Sequence, residues 1–241
     1  MNGVGNRGRT PALPEQLSLG FDQPTVFSRE SFIVSAGNAE ALGAVDSWPH
    51  WPGRTLALVG PAGSGKTHLA TSWAREAGAL EIVDLGPPVE SLEGRPVLLE
   101  EADRPGRDEL LFHLINMAGR PGGGLLLTAR TAPAEWPVSL PDLRSRLNAL
   151  TVAPLGELDD VVLRGVLEKL FRERSIRPPE DLLDYLVLRI ERSAAHAKAV
   201  VAQLDAVASA EHRAVSRVLA SRVLDFTPDL DFGGPEGDRL Q

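Results

Sequence analysis

Leu56-Ala-Leu-Val-Gly60-Pro-Ala-Gly-Ser-Gly65-Lys66-Thr67-His68-Leu69 decides how this chain folds. An apolar run turns through glycines into a helix start, with the Gly-x-x-x-x-Gly-Lys-Thr spacing of a phosphate loop. The glycines open backbone conformations closed to residues with a side chain, so successive amide N–H groups can turn inward around a phosphate. The following helix adds its own unpaired N–H groups and the positive end of its dipole. Lys66 can reach β and γ phosphates, and the Thr67 hydroxyl is placed to ligate the Mg²⁺ that bridges them. The flanks supply the context the motif requires: 55–59 reads as a buried strand and 67–77 as a helix ended by Gly78. The candidate nucleotide residues here are Gly60, Pro61, Ala62, Gly63, Ser64, Gly65, Lys66, Thr67 and His68.

Composition bounds what surrounds the loop. With 241 residues, 43% of them hydrophobic, the chain suits one α/β core plus a small appendage. Zero cysteines exclude disulfides, thiolate metal sites and thiol catalysis. No apolar run approaches the roughly eighteen residues that span a bilayer, and positions 1–9 lack a hydrophobic signal core. A cytoplasmic protein without a membrane partner is expected. The net charge of −8 argues against a surface broadly devoted to DNA, so sequence-specific DNA binding is not expected.

Residues 1–14 and 227–241 are rich in Gly, Pro and polar residues, and both are expected to be disordered. Between them, short apolar runs at 55–59, 80–83, 96–99, 124–128 and 149–152 alternate with helical patterns. That alternation predicts a five-stranded parallel sheet with crossover helices. A helix over 108–118 places Leu110, Leu111, Leu114 and Ile115 on one face and stops at Gly119. After Glu157 the strand signal vanishes, and helices are predicted at 159–174, 180–190 and 193–224, the last with a possible break. This predicts a second, all-helical subdomain.

An NTP site needs acidic groups opposite the phosphate loop, and the third strand delivers Glu100 and Glu101 to its carboxyl end. One carboxylate can hold Mg²⁺ and the next can orient an attacking water; an acidic turn after a buried strand is the plainer reading. Thr128 can sense a γ phosphate or simply hydrogen-bond at its strand end. Arg144 and Arg146 lie two residues apart at the start of a short helix, so at least one must be exposed. An exposed arginine is either a solvated charge or, beside an NTPase core, an arginine finger.

These residues carry a family resemblance. Gly60 to Leu69 and the earlier Phe32-Ile-Val-Ser-Ala-Gly-Asn38 resemble the AAA+ domain of the replication initiator DnaA, over residues 16–226. Leu140-Pro-Asp-Leu-Arg-Ser-Arg-Leu147 and Leu204-Asp205 are similar to the short, Hda-type members of that family. The resemblance implies an AAA+ P-loop α/β domain over 27–155 and a helical nucleotide lid over 156–226. It implies ADP or ATP with Mg²⁺ as ligands, Ile33 and Val34 near the adenine, and Thr67 and Glu100 at the metal. It also implies Arg146 as a finger acting on the initiator's ATP, with homo-oligomers possible. Gln16-Leu-Ser-Leu19-Gly-Phe21, within an arm over 15–26, resembles the motif that binds the DNA polymerase III sliding clamp (beta subunit). Leu17, Leu19 and Phe21 would enter an apolar pocket and Gln16 would bond at its rim, unless they dock on this chain's own core. Clamp binding implies a nucleoid-associated negative regulator of initiation; the alternative is an autonomous AAA+ ATPase that loads or remodels a replication protein.

Several positions depart from the family pattern. Glu100 and Glu101 stand where the initiator has aspartates, and Arg130 where it has an acidic sensor. Aligning Arg192 to His196 with the lid's sensor arginine puts Ala195 at that position, with Arg192 or His196 as substitutes. These departures argue against efficient self-hydrolysis.

Overall fold

A computed structural model describes residues 27–82 and 92–226 of the chain. The first layer of the core is α1 (Ala39–Asp46) with α2 (Lys66–Ala77). The sheet comprises β1 (Thr55–Val59), β2 (Leu80–Ile82), β3 (Pro96–Leu99), β4 (Gly124–Ala129) and β5 (Thr151–Pro154). On its other side lie α3 (Asp108–Ala118) and α4 (Pro141–Asn148). All strand pairs are parallel, in the order β2-β3-β4-β1-β5. Thr55 pairs with Leu125 and Leu56 with Thr151, so β1 sits between β4 and β5, and its C-terminal end opens the phosphate loop one strand in from the β5 edge.

Strand alternation builds two cores. Leu56, Leu58, Leu98 and Leu126 face α1 and α2, where Trp51 and Trp73 fill the space. Ala57, Val97, Leu99, Leu125 and Leu127 face the opposite way, against Leu111, Leu114, Leu143 and Trp136. Both faces are apolar because helices cover both, as the crossover connections of a parallel sheet require. Leu110 and Ile115, predicted on the core face of α3, are partly buried at its margin.

The lid comprises α5 (Asp160–Glu173), α6 (Glu180–Arg189), α7 (Ala194–Ala210) and α8 (Arg217–Phe226). It has its own core, including Leu163, Leu167, Phe171, Leu183, Val200 and Leu204. Asp159 caps α5 by accepting the Val162 N–H at 2.9 Å. The nearby Ser35 hydroxyl first, then the Val162 amide, hold its carboxyl below the ordinary aspartate value. Gly165 packs against Ile33: a Cβ there would lie 2.7 Å from Ile33 Cδ1.

Two boundaries differ from expectation. The fifth strand starts at Thr151 rather than 149, because Ala149 caps α4 and its N–H bonds back to Arg146 and Leu147 carbonyls. The long lid helix divides at His212, whose φ of 50° is left-handed. The predicted head, arm and tail (1–14, 15–26 and 227–241) lie outside the described residues, which begin at Phe27.

Candidate functional site

The phosphate loop is fixed at both ends by contacts that tolerate only glycine. Gly60 donates its N–H to Ala129 O at 3.1 Å, and a Cβ on it would stand 1.9 Å from Leu155 O. Gly63 has φ +74°, and a Cβ there would be 2.1 Å from Ser193 Oγ of the lid. Ala194 N–H donates to Gly63 O at 3.0 Å, so the start of α7 rests directly on the loop. Pro61 and Ala62 are exposed at the loop's crest, whereas Ser64 is buried beneath it.

Lys66 projects into the loop's concavity and donates to Gly60 O at 2.7 Å and Pro61 O at 2.6 Å. Burial is the main reason its pKa falls below the ordinary lysine value, and the Arg130 charge adds to the effect. Beside it, Thr67 Oγ1 donates to Glu100 Oε2 at 3.4 Å and Thr128 Oγ1 donates to the same oxygen at 2.6 Å. Glu100 Oε1 is buried with no hydrogen-bond partner. Burial raises the Glu100 pKa, against the lowering effect of the two threonine hydroxyls. A hard, oxygen-seeking Mg²⁺ takes few protein ligands beside phosphates and waters. A threonine hydroxyl next to an orphaned carboxylate oxygen fits that demand.

The Glu101 carboxylate makes no hydrogen bond to Thr67 or Lys66 among the described residues. The residue occupies the left-handed region at φ 50°, and its side chain is ion-paired with Arg104 and about half exposed. Its backbone N–H bonds Thr128 Oγ1 at 3.0 Å. Glu101, expected to orient the attacking water, has its side chain directed by the backbone turn to Arg104. Thr128, buried and bonded to both glutamates, organises this turn. Arg107 braces it from below, donating to Glu100 O at 2.9 Å and Glu101 O at 3.2 Å. Nothing in the local sequence pattern singled out Arg107.

A cavity of about 340 Å³ extends from the loop under the lid. Phe32, Ile33 and His68 line one side, and Val162, Leu170 and Ala195 line the other. His68 packs against the Phe27 and Phe32 rings at 5.0 and 5.4 Å, and its Nε2 lies 2.9 Å from Ser28 O. Burial lowers its pKa, so it forms a neutral wall. Val34 departs from expectation: it is 49% exposed and absent from the lining, because the extended chain that turns Ile33 inward turns Val34 outward.

Neither expected substitute for a lid arginine reaches the cavity. Arg192 pairs with Asp160 at 2.6 Å and donates to Leu158 O, while His196 Nδ1 lies 3.5 Å from Glu191. Lys198, one turn beyond Ala195 on α7, does line it, as does Lys169 of α5. The three-residue offset to Lys198 is the signal that was readable and missed: i and i+3 share a helix face.

On α4 the two arginines have opposite fates. Arg144 donates to Pro133 O, Ala134 O and Trp136 O, closing the turn before α4. Arg146 is exposed, its guanidinium 5.1 Å from the Phe112 ring centroid. Gln16, Leu17, Leu19 and Phe21 lie outside the described residues.

A parallel sheet in this strand order, a phosphate loop after β1 and a helical lid together define the AAA+ fold. Among solved structures, the chain is similar to domain III of Thermotoga maritima DnaA, a replication initiation protein, at TM-score 0.70 and 17% identity over 84% of this chain and 97% of that one. It is also similar to the RuvB Holliday junction branch migration motor of the same organism, at TM-score 0.63 and 14% identity over 83% of this chain and 72% of that one. AMPPCP-bound DnaA from Aquifex aeolicus matches at TM-score 0.58 and 17% identity, over 76% of this chain and 65% of that one. No protein-family model and no curated protein matches the chain.

Proposed function

We propose that this chain is a regulatory AAA+ protein of the Hda type, which holds an adenine nucleotide with Mg²⁺ and presents Arg146 to ATP bound by the initiator DnaA. In this reading the arm at Gln16, Leu17, Leu19 and Phe21 tethers it to the sliding clamp, and the outcome is an ADP-bound initiator. The observation that carries the reading is the split between the α4 arginines, with Arg144 spent on three carbonyls and Arg146 left exposed at the surface. A guanidinium in that position can neutralise charge developing on a neighbour's transferring phosphoryl group.

The chain's own site is suited to holding rather than turning over its ligand. Lys66 and the loop amides would receive the phosphates, Thr67 and Glu100 would hold Mg²⁺, and Phe32, Ile33 and His68 would enclose the base. Mg²⁺ held there would supply charge neutralisation to the phosphates. Glu101, engaged by Arg104, is drawn away from the Thr67–Glu100 contact, where a water would have to be prepared. In the second reading, an autonomous ATPase, Glu100 takes that role with its unpartnered Oε1. Hydrolysis by the isolated chain separates the two: the regulatory reading expects turnover near background, and sustained turnover without initiator or clamp selects the ATPase.

Lys198 replaces the lid arginine in this account. Lys198→Ala should weaken ADP and ATP binding by about tenfold or more, since a charge-assisted bond to phosphate is worth roughly 1.5–3 kcal/mol. Lys198→Arg should retain near-native affinity. Titration calorimetry of both variants checks this, and equal affinity for wild type and Lys198→Ala would remove the residue from the site.

A further inference from the structure

Beyond the phosphate loop, the polar side chains lining the nucleotide cavity are Ser31, Asn38, His68, Lys169, Glu173 and Lys198. Three of them are engaged by the segment before α1. Asn38 accepts the Ser35 N–H and donates to Ile33 O, each at 2.9 Å, and Ser31 Oγ donates to Ser28 O at 2.9 Å. His68 Nε2 lies 2.9 Å from the same Ser28 carbonyl. Lys198 of α7 is already given to the phosphates. Lys169 and Glu173 remain, and neither forms a hydrogen bond or ion pair among the described residues.

Both stand away from the loop. Ala194 of α7 touches the loop at Gly63 O, and α5 starts beside that contact, with the Leu158 N–H on Arg192 O at 3.2 Å and Asp160 on Arg192 at 2.6 Å. Arg174, at the end of α5, pairs with Asp205 of α7 at 3.7 Å, so the two helices run side by side away from the loop. Along α5, Lys169 lies about 13 Å and Glu173 about 20 Å from Asp160. The Phe27 and His68 rings form the facing wall, 5.0 Å apart, and burial, with the Lys169 charge adding to it, keeps His68 neutral. Four residues apart, Lys169 and Glu173 share one helix face. An ammonium offers only donors and a carboxylate only acceptors.

The apolar walls accept either purine, so discrimination falls to polar groups at the base edge. Adenine presents an acceptor at N1 and an amine donor at N6, whereas guanine presents a donor at N1 and an acceptor at O6. We propose that Lys169 and Glu173 set the base preference of this site, Lys169 donating to N1 of adenine and Glu173 accepting from its N6 amine. This pairing rests on the cavity holding an adenine nucleotide. Guanine in the same pose would set O6 against the Glu173 carboxylate and N1–H against the Lys169 ammonium, leaving both side chains unmatched, which costs more than a missing contact.

The test matches each side chain to the ligand atom it serves, by titration calorimetry on the full chain, Lys169→Ala and Glu173→Ala. The ligands are ADP, 1-deazaadenosine 5′-diphosphate, which lacks N1, and purine riboside 5′-diphosphate, which lacks the N6 amine. In the native chain, losing N1 should weaken binding about tenfold, the low end for a hydrogen bond to a charged group. Losing the amine should weaken it several-fold, since Glu173 is more exposed than Lys169. Lys169→Ala should bind ADP and the 1-deaza ligand equally, and Glu173→Ala should bind ADP and the purine riboside ligand equally. A purely structural role would weaken every ligand alike and leave the ratios at their native values. Native ratios in the variants, or GDP bound by the native chain as tightly as ADP, overturn the proposal while the nucleotide site stands. A native chain that binds none of these diphosphates overturns the nucleotide reading, and this pairing with it.

Discussion

Lys66→Ala is expected to raise the Kd for ADP and ATP at least a hundredfold while leaving the fold intact. The ammonium sits where the loop's carbonyls converge, 2.7 Å from Gly60 O and 2.6 Å from Pro61 O, and is partly buried. Two charge-assisted bonds to phosphate, each worth roughly 1.5–3 kcal/mol, convert to a loss of about two to four orders of magnitude. Stability should change by no more than about 1 kcal/mol, because the lost partners are loop carbonyls with access to water. Burial has also lowered the lysine's pKa, so its charge is present below that lowered value and is lost as pH rises through it. Affinity should therefore decline on the alkaline side sooner than an ordinary lysine would allow. Calorimetric titration at several pH values reads both effects, and an unchanged Kd in Lys66→Ala would deny the loop its ligand.

Arg146→Ala is expected to lower stimulation of the initiator's ATP hydrolysis by about a thousandfold, the scale of an arginine finger. Its own nucleotide affinity should not move, because Arg146 lies on α4 and lines no part of the cavity. Stability should fall by less than about 1 kcal/mol, the worth of one exposed cation–π contact with Phe112. Arg146→Lys should recover little, since an ammonium lacks the planar fork of donors. Arg144→Ala gives the opposite pattern. Losing the guanidinium that serves the Pro133, Ala134 and Trp136 carbonyls should lower stability by about 2 kcal/mol. Any loss of stimulation there should follow the loss of folded protein. Parallel melting and hydrolysis curves for the three variants distinguish contact from scaffold.

Much of this site was legible because it is local. The phosphate loop, the buried strand before it and the helix after it are contiguous, so spacing alone located Lys66 and Thr67. Glu100 was legible for the same reason, at the end of an apolar run. Glu101 was not, because its direction is set by a left-handed turn held by Thr128, 27 residues away, and by Arg107 beneath it. The two α4 arginines could be counted but not sorted, since the carbonyls that claim Arg144 belong to a turn eight or more residues upstream. Ala195 and Lys198 share one helix face; the contact of Ala194 with Gly63 sets how that face meets the loop. Sequence periodicity identifies a face, whereas tertiary docking selects which turn of it reaches the ligand.

The most direct test of a regulator acting in trans is single-turnover phosphate release from labelled ATP already bound to the initiator. The sliding clamp is loaded on DNA, and unlabelled ATP is added in excess so that only the initiator's own ligand is read. The account predicts release that requires wild-type chain and loaded clamp together, and that is lost in Arg146→Ala and in a Gln16→Ala/Leu19→Ala chain. Release of equal extent with Arg146→Ala, or hydrolysis of free ATP by the chain alone at a comparable rate, would contradict it.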